Sequence, residues 1–385
     1  MPPRKKQTQP TITFNEQLVL FEYFLQQFGK STLKALAGKL NDADYEGYDE
    51  NQHTHFYNYI VRICSVNKDK VNISKDKLSI YDENICRYVK QIGEKRGGIV
   101  LKYYQYIALL FTEMYLDRYF TDQDSFIADL NSFLDQKRAD SLGQIDFKQY
   151  TAENMRKLAF MCATGSGKTL IMHINILQYM HYLKKAQRLN SRLTINKIIL
   201  LAPNEGMSMQ HLDELKLSSI RASLFEKDNG LISSRNDGVV VIDMNKLKEE
   251  GKVKTVSIDS FEQNNLVLVD EGHRGLSGNV WYDYRTRLSA EGFAFEYSAT
   301  FKQALKANSS NSEDKQLIEE YGKSIIMDYS YKYFYEDGYG KDYRIYNLKE
   351  SIDEEQRRLY LTGCLLSFYQ QLKLYETYGK EYQLF

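Results

Sequence analysis

The spacing of apolar residues changes near residue 155 of this chain. Before that point apolar positions recur every three or four residues, as in "FNEQLVLFEYFLQQFG" at 14–29, and "GGIVLKYYQYIALLFTEMYLDRYF" at 97–120 looks like a long buried helix after its two glycines. This spacing is typical of helices. After that point short apolar, β-branched runs alternate with longer helical stretches. The first part of the chain is therefore predicted to be mostly helical, and the second to contain a sheet.

The short apolar runs predict the strands of that sheet. Continuous apolar strands that alternate with helices indicate a parallel sheet covered on both faces, and therefore an α/β fold. One more strand at 342–348 and a long helix over about 352–378 are predicted after it. The candidate strands lie at 157–162, 197–203, 239–244, 254–259, 266–270 and 293–298.

Composition adds few constraints to this picture. Hydrophobic residues make up 43% of the chain and charged residues 26%, and the formal net charge is zero. Any basic surface for a nucleic acid must therefore be local. The four cysteines lie far apart, which fits a reducing cytoplasm. No apolar run reaches membrane-spanning length, so no membrane partner is expected.

The stretch "CATGSGKT" at 162–169 has the composition and context of a phosphate loop, since it joins a predicted strand to a predicted helix. Small residues let backbone N–H groups turn toward an anion, and the helix adds its positive end. Lys168 can reach the β- and γ-phosphates of a nucleotide, and Thr169 can ligate Mg²⁺. Cys162 replaces the first glycine of the strict pattern and is interpreted as the last buried residue of the strand.

Adjacent carboxylates follow another buried strand, in "LVLVDEGHRG" at 266–275. The carboxyl ends of strands are where α/β folds bind ligands. Asp270 is predicted to hold Mg²⁺, directly or through water. Glu271 is predicted to orient and deprotonate an attacking water.

Hydroxyl residues end a third strand, in "EYSATF" at 296–301. The side chains of Ser298 and Thr300 can hydrogen-bond His273 or the two carboxylates. They could therefore sense the state of a bound nucleotide.

In their order and spacing, "ATGSGKT", "DEGH" and "SAT" resemble motifs I, II and III of superfamily 2 helicases and translocases. The segment "LLAPNEGMSMQ" at 200–210 is similar to motif Ia, which contacts the nucleic-acid backbone in that superfamily. The DExH form, with "YKYFYEDGYGKDYRI" leading into a second domain, most resembles the res subunit of type III restriction enzymes. The resemblance implies a motor that uses ATP and Mg²⁺ to move on single- or double-stranded DNA in a restriction or antiphage system. A modification methyltransferase or another defence subunit is its candidate partner.

The resemblance also assigns roles to individual residues. Lys168, Asp270 and Glu271 are catalytic, and Thr169 and Asp270 hold Mg²⁺. His273, Ser298 and Thr300 couple hydrolysis to movement. The ATP-binding residues are Thr164, Gly165, Ser166, Gly167, Lys168 and Thr169, and the nucleic-acid contacts are Pro203, Asn204 and Gln210.

A glutamine upstream of motif I often reads adenine in this superfamily. Gln105 is the candidate here, although it lies farther upstream than the family pattern places it. A glutamine on the surface of a helix is the alternative interpretation.

The fold implied by the resemblance is a RecA-like phosphate-loop domain with a parallel sheet, after a mostly helical N-terminal region and before the start of a second RecA-like domain. The predicted boundaries are 1–95 for the helical region, 96–330 for the ATP-binding domain and 331–385 for the linker and second domain. No segment fits motifs IV to VI, which include an arginine that stabilises the transferring phosphoryl group. The chain is therefore expected to hold an incomplete motor, with no nuclease domain visible.

Two other functions stay open at this point. An RNA helicase would carry the same motifs, and stimulation of the ATPase by DNA or by RNA would separate the two. A nucleotide-gated module that recognises a nucleic acid or a partner protein would bind ATP without translocation.

Overall fold

A computed structural model of the chain describes residues 12–66, 70–225, 238–247, 261–272, 279–301, 312–340 and 353–378. The predicted strands at 254–259 and 342–348, together with His273, lie outside the described residues. The chain divides into two compact units, residues 1–340 and residues 341–385. The domain boundaries proposed from the sequence at 95/96 and 330/331 stay predictions.

One parallel sheet organises the first unit. Its strands are β1 Lys157–Cys162, β2 Ile198–Ala202, β3 Ala222–Leu224, β4 Val239–Asp243, β5 Leu266–Asp270, β6 Phe293–Ser298 and β7 Ile325–Tyr329. These strands lie in the order β3-β4-β2-β5-β6-β1-β7. Each neighbouring pair is parallel. Five of the strands predicted from the sequence are therefore confirmed, with ends that agree to within one residue.

Helices precede the sheet and alternate with its strands. The six before the sheet are α1 Val19–Gln26, α2 Leu33–Ala37, α3 His55–Val66, α4 Lys75–Gly93, α5 Tyr103–Thr121 and α6 Gln123–Asp140. Those after β1 are α7 Lys168–Gln187, α8 Glu205–Leu217, α9 Asn279–Leu288, α10 Ser312–Ser324, α11 Tyr331–Glu336 and α12 Glu354–Tyr378. Helix α12 belongs to the second unit. Among the described residues, no helix is both long and apolar enough to cross a membrane.

Alternate residues of the central strands pack into two different hydrophobic clusters. Leu200 and Leu268 belong to a large cluster that also contains the N-terminal helices. Leu201 and Val267, their neighbours in sequence, belong to a smaller cluster with Leu288 of α9. Since successive side chains of a strand point to opposite faces, both faces of the sheet are covered. The predicted α/β fold class with a parallel sheet and a mostly helical N-terminal region is confirmed.

Helix α5 joins the N-terminal helices to the sheet. It contacts α4, α6, α7 and β7, and every residue from Tyr103 to Asp117 is buried. A helix that is buried on all sides lacks the one-sided apolar stripe of a surface helix. The buried apolar side chains around it form one cluster in space, which includes residues from Phe14 in the N-terminal region to Tyr329 at the end of β7. The helical region therefore stabilises the sheet directly.

A buried carboxyl group lies at the contact of α4, α5 and α7. Glu113 on α5 accepts hydrogen bonds from Asn84 Nδ2 at 2.8 Å, Gln178 Nε2 at 2.9 Å and Tyr182 Oη at 2.8 Å. Burial raises the pKa of Glu113 from 4.5 to about 7, although these donors act in the opposite direction. Below about pH 7 the protonated form of Glu113 is therefore favoured in the folded protein.

We expect this one group to lower the free energy of unfolding as the pH rises from about 4.5 to about 7. The pKa is raised on folding, so the stabilisation is complete below the unfolded pKa and is lost as the pH passes the folded pKa. The decrease should be about 3 kcal/mol. Denaturant unfolding of the wild type and of Glu113→Gln across this range measures it. Glutamine at position 113 does not titrate, so an equal decrease in both proteins would contradict the assignment.

Candidate nucleotide-binding site

The carboxyl ends of the parallel strands meet at one edge of the sheet. Strands β2, β5, β6 and β1 are neighbours in that order. Asp270 at the end of β5 pairs with Tyr297, and Ser298 at the end of β6 pairs with Met161. Cys162 ends β1 beside them. The structure therefore brings the segments after β1, β5 and β6 together, although they are far apart in the sequence.

The loop after β1 has a backbone that only glycine adopts easily. Gly165 has φ +84° and Gly167 has φ +82°, both in the left-handed region. A Cβ atom at Gly167 would lie 2.3 Å from Gln105 Nε2. Ser166 is buried, and its Oγ has no hydrogen-bond partner in the described part of the structure. A buried hydroxyl without a partner, at the start of a helix, fits a loop that receives a phosphate or its metal ion.

Lys168 and Thr169 form the first turn of α7. Lys168 Nζ donates to the carbonyl of Cys162 at 3.4 Å and lies 3.8 Å from Glu271 Oε1. Thr169 is half-buried, whereas Thr164 at the tip of the loop is exposed. The ammonium group therefore lies between the phosphate loop and the carboxylate that follows β5.

The interpretation of Cys162 as the buried end of its strand is confirmed. It is the last residue of β1 and is 1% exposed. Burial raises the pKa of its thiol to about 12, with Lys168 acting in the opposite direction. The thiol is therefore protonated at neutral pH and unreactive.

The carboxylate loop, residues 270–272, holds its two acidic side chains in different ways. Asp270 is 6% exposed, and its Oδ1 accepts a hydrogen bond from Glu271 N at 3.0 Å. Its Oδ2 lies 2.9 Å from Nε2 of His211 on α8. Glu271 has φ +54°, a conformation that costs a residue with a side chain about 1–2 kcal/mol.

A second polar cluster supports the carboxylate loop from the face covered by α9 and α10. Arg285 donates from Nη1 to the carbonyl of Gly272 at 2.6 Å and from Nη2 to Tyr321 Oη at 2.9 Å. Its Nε lies 3.5 Å from Glu296 Oε1, and Lys157 Nζ lies 2.9 Å from the same oxygen. Burial raises the pKa of Glu296, but the two cations outweigh burial and hold that pKa below its ordinary value. The cluster is therefore charged and fixes the backbone at Gly272.

The hydroxyl segment after β6 forms a local turn. Ser298 Oγ donates to the carbonyl of Thr300 at 2.9 Å and accepts from Thr300 N at 3.1 Å. His273 lies outside the described residues, so its contact with these hydroxyls stays a prediction.

The segment that resembles motif Ia lies at the same edge of the sheet. It covers the end of β2 and the start of α8, where Asn204 caps the helix by accepting a hydrogen bond from Met207 N at 2.9 Å. Asn204 and Gln210 are exposed, and Pro203 is half-buried. These positions are open to a ligand, and their contact with a nucleic acid stays a prediction.

Gln105 lies against the phosphate loop and is only 6% exposed. Its Nε2 donates to the carbonyl of Ser166 at 2.9 Å, across a separation of 61 residues. Its Oε1 accepts from Lys102 N at 2.9 Å, which caps α5. The side chain is therefore not a surface glutamine of a helix. Its amide braces the loop, and recognition of adenine stays a prediction.

We expect Gln105→Ala to weaken the binding of ATP and of GTP equally, by about 3- to 10-fold. The hydrogen bond that is lost supports the phosphate loop, which would contact groups that both nucleotides share. Equilibrium titration of the two nucleotides measures the effect. A loss confined to ATP would instead show that Gln105 reads the adenine base.

Two polar residues that contact the carboxylate loop were not predicted from the sequence. His211 follows the exposed Gln210 and shares a buried face of α8 with Ser208 and Leu215. Their helical spacing was a usable signal, because a histidine inside an apolar stripe needs a polar partner. The sequence around Arg285 gave no comparable signal, because its hydrogen bond to the carbonyl of Gly272 arises only from the tertiary packing of α9.

A known protein family matches the segment of the sequence that contains this site. The sequence model of the family described as type III restriction enzyme, res subunit, matches residues 99–303, which is more than half of the chain. The matched segment contains every site residue predicted above. No curated protein sequence gives a significant match.

Among solved structures, the chain is similar to the Sulfolobus solfataricus SWI2/SNF2 ATPase core in complex with dsDNA, with 13% identity and a TM-score of 0.30. The match covers 50% of this chain and 43% of that chain, so it spans less than half of the relative.

Proposed function

Because this chain belongs to the family of type III restriction enzyme res subunits, we propose that it is the ATP-dependent DNA translocase or helicase motor of a type III-like restriction or antiphage system. The observation that carries the proposal is the 3.8 Å approach of Lys168 Nζ to Glu271 Oε1 across two loops. It brings a cation that would bind phosphate close to a carboxylate that would accept a proton from water. A cytoplasmic location and a modification subunit as partner belong to the same proposal.

The side chains at this edge divide the work of ATP hydrolysis among them. Lys168 would neutralise charge on the β- and γ-phosphates, and the N–H groups of the left-handed loop would contact the same oxygens. Glu271 would orient the attacking water and accept its proton. Thr169 and Asp270 are the residues that would hold Mg²⁺. When it is bound, Mg²⁺ neutralises phosphate charge and orients the leaving group.

The same edge offers a route from hydrolysis to movement. DNA would contact the exposed residues Asn204 and Gln210, next to β2. Ser298 and Thr300, at the end of β6, would respond to the nucleotide, and so would His273. Strand β5 lies between β2 and β6. A movement of Asp270 or Glu271 at the end of β5 would therefore act beside both the DNA-contacting segment and the hydroxyl segment. Phosphate contacts would dominate DNA binding, so the affinity should fall steeply with salt concentration.

The test is the rate of ATP hydrolysis by the full-length protein, measured alone and with duplex DNA, single-stranded DNA or duplex RNA. We expect DNA to stimulate hydrolysis and added salt to abolish the stimulation. Stimulation by RNA alone would favour an RNA helicase. ATP binding without turnover, even with DNA present, would favour a nucleotide-gated recognition module.

A further inference from the structure

A single buried side chain connects helix α8 to the predicted metal ligand. His211 Nε2 lies 2.9 Å from Asp270 Oδ2, and the two side chains are 4% and 8% exposed. The other oxygen of Asp270 accepts a hydrogen bond from Glu271 N. The orientation of the carboxylate is therefore set from two sides, by its own loop and by α8.

Helix α8 is exposed at one end and anchored at the other. It begins after the exposed Asn204, and His211 follows about two turns later, roughly 10 Å along the axis. Near its carboxyl end, Arg96 from the N-terminal helical region contacts Glu214 Oε2 at 2.6 Å and Ser218 Oγ at 3.1 Å. A ligand at the exposed end would therefore act on a helix whose other end is held, and His211 lies between the two.

His211 is a costly residue for packing alone. Its Nδ1 is buried without a hydrogen-bond partner in the described structure. A buried polar atom of this kind costs about 1–3 kcal/mol. Leucine would fill a buried position on this face without that cost, as it does at Leu215. What histidine adds here is the contact with Asp270.

We propose that His211 is a positioning residue that couples α8 to Asp270, so that DNA bound at the start of α8 sets the orientation of the carboxylate that holds Mg²⁺. The DNA part of this inference rests on the proposed function. The contact between His211 and Asp270 does not, because it acts on the binding of magnesium and nucleotide in the absence of DNA.

The first experiment measures nucleotide binding without turnover. A non-hydrolysable fluorescent ATP analogue is titrated into the full-length protein in EDTA and at increasing Mg²⁺ concentration. We expect His211→Leu to bind the analogue like the wild type in EDTA, but to need about 10-fold more Mg²⁺ for the tighter complex. His211→Gln should restore the wild-type requirement, because its Nε2 can occupy the place of the imidazole Nε2.

The matched control is a second buried histidine with a different partner. His173 on α7 is fully buried, and its Nδ1 lies 2.8 Å from Ser218 Oγ. His173→Leu removes a comparable hydrogen bond at the carboxyl end of α8, which Arg96 still holds through Glu214, and leaves the contact of His211 with Asp270 in place. Thermal unfolding of both leucine variants shows how much stability each change costs. We expect only His211→Leu to change the Mg²⁺ requirement.

The second experiment measures the ratio of DNA-stimulated to basal ATP turnover in the same proteins. We expect the ratio to fall toward one in His211→Leu, to recover in His211→Gln, and to stay at the wild-type value in His173→Leu. The inference is overturned if His211→Leu keeps both the wild-type ratio and the wild-type Mg²⁺ requirement, or if His173→Leu loses as much of both. If DNA fails to stimulate the wild type, the proposed function fails, and the Mg²⁺ titration alone decides whether His211 positions Asp270.

Discussion

We expect Lys168→Ala to reduce ATP turnover by about 10²- to 10³-fold, because it removes the cation from the phosphate loop. Lys168 begins α7, and its ammonium group lies between the carbonyl of Cys162 and the carboxylate of Glu271. At that point it would face the phosphates of ATP and the charge that develops as the γ-phosphate is transferred. The affinity for ATP should also fall, since the contact exists before hydrolysis. Steady-state ATP hydrolysis, with and without DNA, and equilibrium nucleotide binding measure the two effects.

The control for Lys168→Ala lies at the other end of the same helix. Lys184 is exposed in the last turn of α7, and Lys184→Ala should leave turnover unchanged. Alanine has a high helix propensity, so neither substitution should prevent α7 from forming. Thermal unfolding of both variants checks this. Undiminished turnover in Lys168→Ala would contradict the assignment of the phosphate loop.

The strands that were predicted from the sequence are those with continuous apolar runs between clear breaks. Strand β5, for example, is a run of four apolar residues that ends in two carboxylates. Strands β3 and β7 were not predicted, for two different reasons. Strand β3 has three residues, "ASL", which are too few to carry a periodic signal. Strand β7 follows α10 directly, so the apolar residues of "IIMDY" continue the pattern of the helix.

The site was predictable where its residues are contiguous in the sequence. The phosphate loop and the carboxylate loop each lie within a few residues, directly after a strand, so local pattern and spacing identify them. His211 and Asp270 are 59 residues apart, and their contact depends on how α8 packs against β2, β3 and β4. Gln105 was predicted as a candidate, but its contact with Ser166 depends on the packing of α5 against α7 and β7. Contacts of this kind follow from the tertiary structure, which a single sequence does not encode in any local pattern.

We expect Glu271→Gln to bind ATP normally and to lose turnover by about 10²- to 10⁴-fold. Glutamine has nearly the same size and shape as glutamate, so the strained backbone at φ +54° and the fold of the loop should be retained. The amide cannot accept a proton from water. The carboxylate of Glu271 lies 3.8 Å from the ammonium group of Lys168. Loss of the carboxylate charge leaves that ammonium group available to phosphate, so ATP affinity should equal or exceed that of the wild type.

The control for Glu271→Gln lies before the same strand. Glu262 is an exposed glutamate that also has a left-handed backbone, with φ +58°, and it precedes β5 where Glu271 follows it. Glu262→Gln should therefore make the same change of charge at a residue with the same backbone conformation. Because Glu262 lies at the opposite edge of the sheet, we expect turnover to be unchanged. Single-turnover hydrolysis and nucleotide binding separate the two variants.

If Glu271→Gln hydrolysed ATP at the wild-type rate, another group would have to accept the proton of the attacking water. If it lost ATP binding together with turnover, Glu271 would act in binding, as Lys168 is expected to do, and its assignment as the catalytic base would be wrong.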